Sequence, residues 1–254
     1  MFMLQHAQIE FYRTNGYLLV KGLLSKSDAA RYREAAHSLI ARLSATANLD
    51  ATWGSAKDIS GNQTVIQHCH NVQFYCAAFT VMMTEERFTE AAAQLIGSEN
   101  VQLHHNKMFI KPPEKGSPFP MHQDYPYFPH ERHTMMAAIF HFDDATLEKG
   151  CVRVIPGSHL QGPLDHNPEG GWHLPIDQYP LEAAVACPAE AGDVLFFNYL
   201  TIHGSGVNVS NEARTTLLIQ MRDPEDKPTV KTHESRGQGM MLRGIDPGAV
   251  YMGL

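Results

Sequence analysis

The segment Pro120-Met121-His122-Gln123-Asp124 holds an imidazole and a carboxylate two residues apart. On an extended chain residues i and i+2 face one side, so both could reach a single metal ion. A second imidazole is offered by Thr201-Ile202-His203-Gly204-Ser205-Gly206, and Arg214 follows eleven residues after His203. Two imidazoles and one carboxylate on one face of an octahedral ion suit Fe(II), leaving three positions for a bidentate acid and dioxygen. The acid this pattern points to is 2-oxoglutarate, chelating through its 2-oxo and C1 carboxylate groups. Its far carboxylate then needs a fixed cation, and an Arg fork matches a carboxylate bidentately. Arg214, about one strand's length beyond His203, is placed for that task.

For these groups to converge, the chain between them has to fold as short strands. From residue 100 onward apolar runs recur at 101–111, 134–142, 151–155, 181–187, 193–198 and 213–222. They are separated by turns such as Pro112-Pro113, Pro156-Gly157, Gly170-Gly171 and Ala191-Gly192-Asp193. This texture predicts an all-β sandwich or barrel. The first hundred residues differ. A short helix is predicted over 8–15, a strand over Tyr17-Leu18-Leu19-Val20, and a helix from a Ser25 or Ser27 cap to about Leu43. Another helix runs from about Thr84 to Leu95, with Gly97 as its stop. Residues 44–64 read as a loop or lid. With no linker, repeat or low-complexity segment in view, one domain is expected over 1–254. It comprises a largely helical flank (1–100), a β-barrel core (100–222) and a C-terminal tail (223–254).

Several longer stretches accompany these motifs. They are Met108-Phe109-Ile110-Lys111-Pro112-Pro113, His122-Gln123-Asp124-Tyr125-Pro126-Tyr127-Phe128-Pro129, and the run from Glu148 to His159 ending Pro156-Gly157-Ser158-His159. Gly192-Asp193-Val194-Leu195-Phe196-Phe197, His203-Gly204-Ser205-Gly206 and Arg214 complete the set. In order, spacing and residue type, residues 100–222 resemble the phytanoyl-CoA dioxygenase family of Fe(II)/2-oxoglutarate oxygenases. The resemblance implies a mainly β fold, a double-stranded β-helix (a cupin-like jelly-roll barrel) with flanking N-terminal helices. It implies that His122, Asp124 and His203 bind iron, that Arg214 and Ser205 hold the far carboxylate of 2-oxoglutarate, and that Met108 and Phe140 line the co-substrate pocket. A further upstream co-substrate contact, often a Lys in the family, would fall to Gln67, His68 or His70 here. The implied reaction hydroxylates or otherwise oxidises an unactivated C–H of a small metabolite, with O2 consumed and 2-oxoglutarate decarboxylated to succinate. Halogenating relatives replace the carboxylate ligand with a small residue; Asp124 keeps it, which favours hydroxylation.

Composition narrows the remaining options. The 254 residues carry a net charge of −7, with 43% hydrophobic and 19% charged residues, a balance that suits a packed protein and excludes a disordered one. No run of Lys and Arg offers a nucleic-acid patch, and no apolar stretch approaches the ~18 residues of a membrane span. The N-terminus lacks a signal-peptide layout, and Tyr251-Met252-Gly253-Leu254 is neither a prenylation box nor a peroxisomal tripeptide, so a cytoplasmic protein is expected. Cys69, Cys76, Cys151 and Cys187 form no C-x-x-C pair and read as reduced, buried thiols. Among the other histidines, His159 reads as structural. His104 and His105, adjacent on a strand, should face opposite sides, while His68 and His70 share a face. His130, His133, His166, His173 and His233 read as solvated loop residues. Tyr125 to Pro129, Trp53 and Trp172 are candidates for the substrate mouth. A CoA thioester would want a basic groove, for which Lys107, Lys111, Lys115 and Arg132 are available. The competing class is a cupin-like metalloprotein, an isomerase, hydrolase or binding module that does not use 2-oxoglutarate; Arg214 and Ser205 argue against it. Nothing in the sequence indicates an oligomeric state.

Overall fold

The computed structural model describes residues 2–51, 64–167, 172–231 and 234–250; Trp53, Gly170, Gly171, His233 and Tyr251 to Leu254 lie outside them. The first helix, α1 (His6–Asn15), opens with a capping box between Gln5 and Gln8 and ends at Gly16, whose φ of 77° makes the left-handed stop. Strand β1 (Tyr17–Val20) follows. Helix α2 (Lys26–Ser44) starts where the Ser25 hydroxyl accepts the Asp28 amide at 3.0 Å, and buries Ala29, Tyr32, Ala36, Leu39 and Ile40 at helical spacing. Helix α3 (Ala77–Met83) was not legible in the sequence, being seven residues long with no side-chain cap. In α4 (Glu86–Ile96) the Glu85 carboxylate caps the Phe88 amide and Gly97 terminates the helix.

Eleven further strands are described: β2 (Asp50–Ala51), β3 (Ile66–His70), β4 (Val101–Lys111), β5 (Phe119–His122), β6 (Met136–His141), β7 (Val152–Val154), β8 (Val185–Cys187), β9 (Val194–Asn198), β10 (His203–Ser205), β11 (Arg214–Arg222) and β12 (Met241–Arg243). All their ladders are antiparallel. One sheet runs β1-β9-β6-β11-β4-β3-β2, with β12 also paired to β4; the other runs β5-β10-β7-β8. This is the expected mainly β jelly roll with helices outside it. The run 181–187 is shorter as a strand than its apolar texture predicts. Leu181–Ala183 forms a 3-10 turn, and only Val185–Cys187 pairs with the three-residue β7.

The large sheet is buried on both faces, which is why its strands read as near-continuous apolar runs. On the outer face Val20, Phe140, Phe196 and Leu217 pack with Phe79 and Phe88 from the helices. On the inner face Ala137, Leu195 and Phe197 meet Val152, Val154 and Cys187. Strand parity corrects the expectation for Met108 and Phe140. Both are fully buried in the outer, helix-facing core, so neither lines the co-substrate pocket. Their neighbours Lys107, Phe109 and Ile139 face the cavity instead. A register shift in the β4–β11 ladder, between Gln220 and Met221, corrects another. It bulges β4 so that His104 and His105 turn to the same side, their Nδ1 atoms 2.8 Å apart.

Helix α2 is tied to the sheet by polar contacts as well. Arg33 pairs with Asp143, whose other oxygen accepts the Thr215 amide at 2.9 Å, and His37 Nε2 lies 2.8 Å from the Thr215 hydroxyl. No helix among the described residues is long and apolar enough to cross a membrane. The centre of the outer core is Phe88, whose ring lies 4.8 Å from Phe140 and 6.1 Å from Phe196. Phe88→Ala is expected to destabilise the protein by about 3–5 kcal/mol, read as a lower denaturant midpoint at unchanged slope.

Candidate metal centre

His203 and His122 are direct cross-strand partners on β10 and β5, so their rings share one side, with centroids 4.2 Å apart. Asp124 arrives differently from expectation. It has left the strand (φ −77°, ψ −20°) and opens a 3-10 turn, held by its amide on Tyr199 O at 2.9 Å. Its Oδ1 lies 3.6 Å from His122 Nε2 and 3.8 Å from His203 Nε2. One ligand atom from each residue falls within 4.8 Å of the others, and all three residues are buried.

The surroundings prepare each donor. His122 Nδ1 donates to Pro120 O at 2.7 Å and His203 Nδ1 to Thr201 O at 3.0 Å. Both rings are therefore fixed as the tautomer whose Nε2 carries the lone pair. Burial holds them neutral, lowering His122 to about 3, with His203 adding to the effect, and His203 to about 4. Burial raises the Asp124 carboxyl, while His122 and the Gln220 amide, donating to Oδ2 at 2.5 Å, act in the opposite direction. Gln123 pins the turn between the ligands: Nε2 donates to Leu200 O at 2.7 Å and to Gly162 O at 3.0 Å, and Oε1 accepts from the Leu164 amide. His166 sits against the same turn, but Nε2 accepts the Gln123 amide and Nδ1 donates to Leu164 O, so neither nitrogen is left over.

Away from the triad the cavity ends at a buried cationic group. Arg214 is buried and lines the cavity; one nitrogen donates to Gly150 O, while Nε has no partner among the described residues. Gly150 sits at φ 65°, where a Cβ would strike Gly206 O at 2.2 Å, so only glycine brings that carbonyl to the guanidinium. Directly across the ladder from Arg214 is Lys111, fully buried, donating to Ser205 Oγ at 2.7 Å and Gly206 O at 2.6 Å. Burial, and secondarily Arg214, pushes Lys111 well below its usual value; burial takes Arg214 down to about 10, still charged at neutral pH. A buried guanidinium across from a buried lysine amine, with an N–H left unpartnered among the described residues, forms a receptor for an anion. The donor set at the other end, two neutral imidazoles and a carboxylate, fits Fe(II).

The cavity that both ends line encloses about 460 Å³. Its mouth carries Tyr127 and Trp172, ring centroids 6.2 Å apart, with the Tyr127 hydroxyl donating to Trp172 O at 3.4 Å. His68 and His70 face the cavity, whereas Gln67, the third candidate for the upstream contact, faces away beside Asp50. The basic residues available for a CoA groove do not gather: Lys111 is at the closed end, Lys107 lines the wall, Lys115 is exposed and Arg132 pairs with Glu225. His130 and His173 are buried and His133 and His166 partly so, correcting their reading as solvated loops. His159 is structural as expected, its Nε2 donating to Arg13 O at the end of α1. Sequence reasoning offered Lys111 only for a CoA groove and missed Gln220. The available signal was parity: Gln220 is six residues from Arg214 on one strand and so shares its face.

A model of the family described as phytanoyl-CoA dioxygenase matches residues 12–216. The bovine peroxisomal phytanoyl-CoA dioxygenase is 29% identical over 237 residues, covering 85% of this chain and 68% of its own length. A probable alpha-ketoglutarate-dependent hypophosphite dioxygenase of Stutzerimonas stutzeri is 26% identical, covering 82% and 75%. Among solved structures, the epimerase SnoN in complex with Fe3+, alpha ketoglutarate and nogalamycin RO superposes with a TM-score of 0.72 at 24% identity, over 94% of this chain and 96% of that one. Replacing Gln220 by Leu removes the donor on Asp124 without touching a ligand. It is expected to weaken Fe(II) binding about 10–100-fold in an anaerobic metal titration.

Proposed function

The chain belongs to the phytanoyl-CoA dioxygenase family, and on that premise we propose that His122, Asp124 and His203 are its iron ligands and that Arg214, Ser205 and Lys111 receive the distal carboxylate of 2-oxoglutarate. The enzyme is a non-haem Fe(II)- and 2-oxoglutarate-dependent dioxygenase that hydroxylates a small molecule, with Fe(II), 2-oxoglutarate and O2 as its cofactor and co-substrates. The observation that carries the residue assignment is the Arg214 Nε, buried without a partner among the described residues, in the same cavity as the His-Asp-His triad. A buried guanidinium fork with a vacant donor calls for a carboxylate.

When bound, the iron supplies the oxidation of the substrate C–H, coupled to decarboxylation of 2-oxoglutarate to succinate. The residues of the chain do the positioning. His122 and His203 present Nε2 lone pairs on one side because their Nδ1 protons are held by backbone carbonyls. Asp124 supplies the only negative charge among the described cavity-lining residues, oriented by Gln220. Arg214 sets the co-substrate's direction from the far end. The aromatic pair Tyr127 and Trp172 stands where a substrate enters and can exclude water over it.

The dispersal of the basic residues favours a small metabolite or biosynthetic intermediate over a CoA thioester. Our reading also keeps the whole of 1–254 as one catalytic domain in the cytoplasm, supported by four unpaired thiols. The deciding experiment is an anaerobic titration with Fe(II) and then 2-oxoglutarate, followed by visible absorption. A metal-to-ligand charge-transfer band is expected, with Arg214→Ala raising the 2-oxoglutarate concentration needed by about tenfold or more. Iron binding without that band in the parent would overturn the assignment. His122→Ala is expected to reduce 2-oxoglutarate-dependent oxygen uptake to background in an electrode assay.

A further inference from the structure

Beside the metal triad one acceptor is left over. Gln220 is 1% exposed and lines the cavity. Its Nε2 donates to Asp124 Oδ2 at 2.5 Å. A carboxylate only accepts, so the amide nitrogen has to face Asp124 and the carbonyl oxygen points elsewhere. That Oε1 is buried with no hydrogen-bond partner among the described residues. An amide oxygen left in this state costs about 1–3 kcal/mol, which an arriving donor removes.

The groups around it narrow the source of that donor. Both ligand imidazoles give their Nδ1 protons to backbone carbonyls and present lone pairs at Nε2, so neither has a proton for Gln220. At neutral pH 2-oxoglutarate is two carboxylates and a ketone, with acceptors only. It also belongs to the other end of the cavity. Arg214, Thr216, Leu218 and Gln220 alternate along β11 and all face inward, which puts Gln220 about 20 Å of extended strand from the clamp. Across the ladder from Gln220 is His105. From there a row of rings follows the wall: Phe128 lies 5.4 Å from His105, Tyr127 6.4 Å from Phe128, and Trp172 6.2 Å from Tyr127. All four line the cavity. The primary substrate is thus the molecule that can reach Oε1 with a donor.

We propose that Gln220 Oε1 accepts a hydrogen bond from the primary substrate, which therefore carries an uncharged donor, a hydroxyl or an amide N–H, near the carbon presented to the metal. The proposal rests on the functional reading above and narrows its substrate class. The donor is uncharged because an ammonium there would be buried close to Fe(II), with Asp124 already engaged. The ring-lined wall takes the rest of the molecule. Gln220 then works from both ends of one amide: Nε2 orients the carboxylate ligand, and Oε1 selects the substrate.

The test uses the anaerobic protein saturated with Fe(II) and 2-oxoglutarate, titrated by calorimetry with three ring-bearing probes. Benzyl alcohol offers O–H, benzamide offers N–H, and benzyl methyl ether offers neither. The parent is expected to bind the alcohol or the amide about tenfold more tightly than the ether. A preference for the alcohol assigns a hydroxyl substrate, and a preference for benzamide an N–H one. Gln220→Met removes both ends of the amide, whereas Gln220→Lys keeps a donor for Asp124 and cannot accept. The preference over the ether is expected to vanish in both. Because each ratio compares two probes on one protein, a general loss of metal affinity or stability does not imitate this result. The proposal is overturned if the parent binds the ether as tightly as the other two, if no probe saturates at tens of millimolar, or if the preference survives in Gln220→Lys. Absence of the charge-transfer band in the parent is the separate failure of the 2-oxoglutarate reading; the same three titrations on the metal-free protein then still decide the role of Oε1.

Discussion

The pairing of β5 with β10 is the constraint on which the site depends. Cross-strand partners project to the same face, so the register that sets His203 opposite His122 brings two imidazoles together without help from any loop. A slip of one residue would send one ring to the other side of the small sheet. The surrounding contacts oppose such a slip. Gly204 lies where a Cβ would meet Phe119 O at 2.7 Å, so β10 can sit against β5 only as it does. Gln123 bonds backbone carbonyls on two separate segments and fixes the turn that swings Asp124 back toward both rings.

Electrostatics divides the cavity into distinct zones. At the triad, burial keeps the imidazoles neutral and available, and backbone carbonyls decide which nitrogen faces inward. At the closed end, Arg214 and Lys111 sit across one ladder, and neither is paired with a carboxylate among the described residues. Such a pair is tolerable because carbonyls of Gly150 and Gly206 accept from it, and because a bound carboxylate would complete the set. The Lys107 wall has no comparable acceptors among the described residues.

The large sheet makes this possible mechanically. Its outer face is sealed by α2, α3 and α4 through Tyr32, Phe79 and Phe88, so every inward position can be given to chemistry or to the small inner cluster. The family likeness covers that scaffold and the general reaction. The residues Tyr127 and Trp172 line the same cavity away from the ligands.

The sequence by itself determined β1, β4, β6, β7, β8, β9 and β11 with their turns, the three longer helices, the H-x-D and H-G-S motifs and the distal arginine. These are local signals: apolar periodicity, capping residues, and chemical types at short spacing. Only the tertiary structure decided which face of β4 and β6 looks inward, sending Met108 and Phe140 to the helix side and Lys107 to the cavity. Because both faces of the large sheet are buried, apolar residues occupy both parities and the sequence pattern carries no sign for the inward one. Likewise, the bulge that turns His104 and His105 to one side, the pairing of Lys111 with Arg214, and the reach of Gln220 to Asp124 all depend on register between strands about a hundred residues apart. Register is set by packing across the whole sheet, and no short stretch of chain contains it.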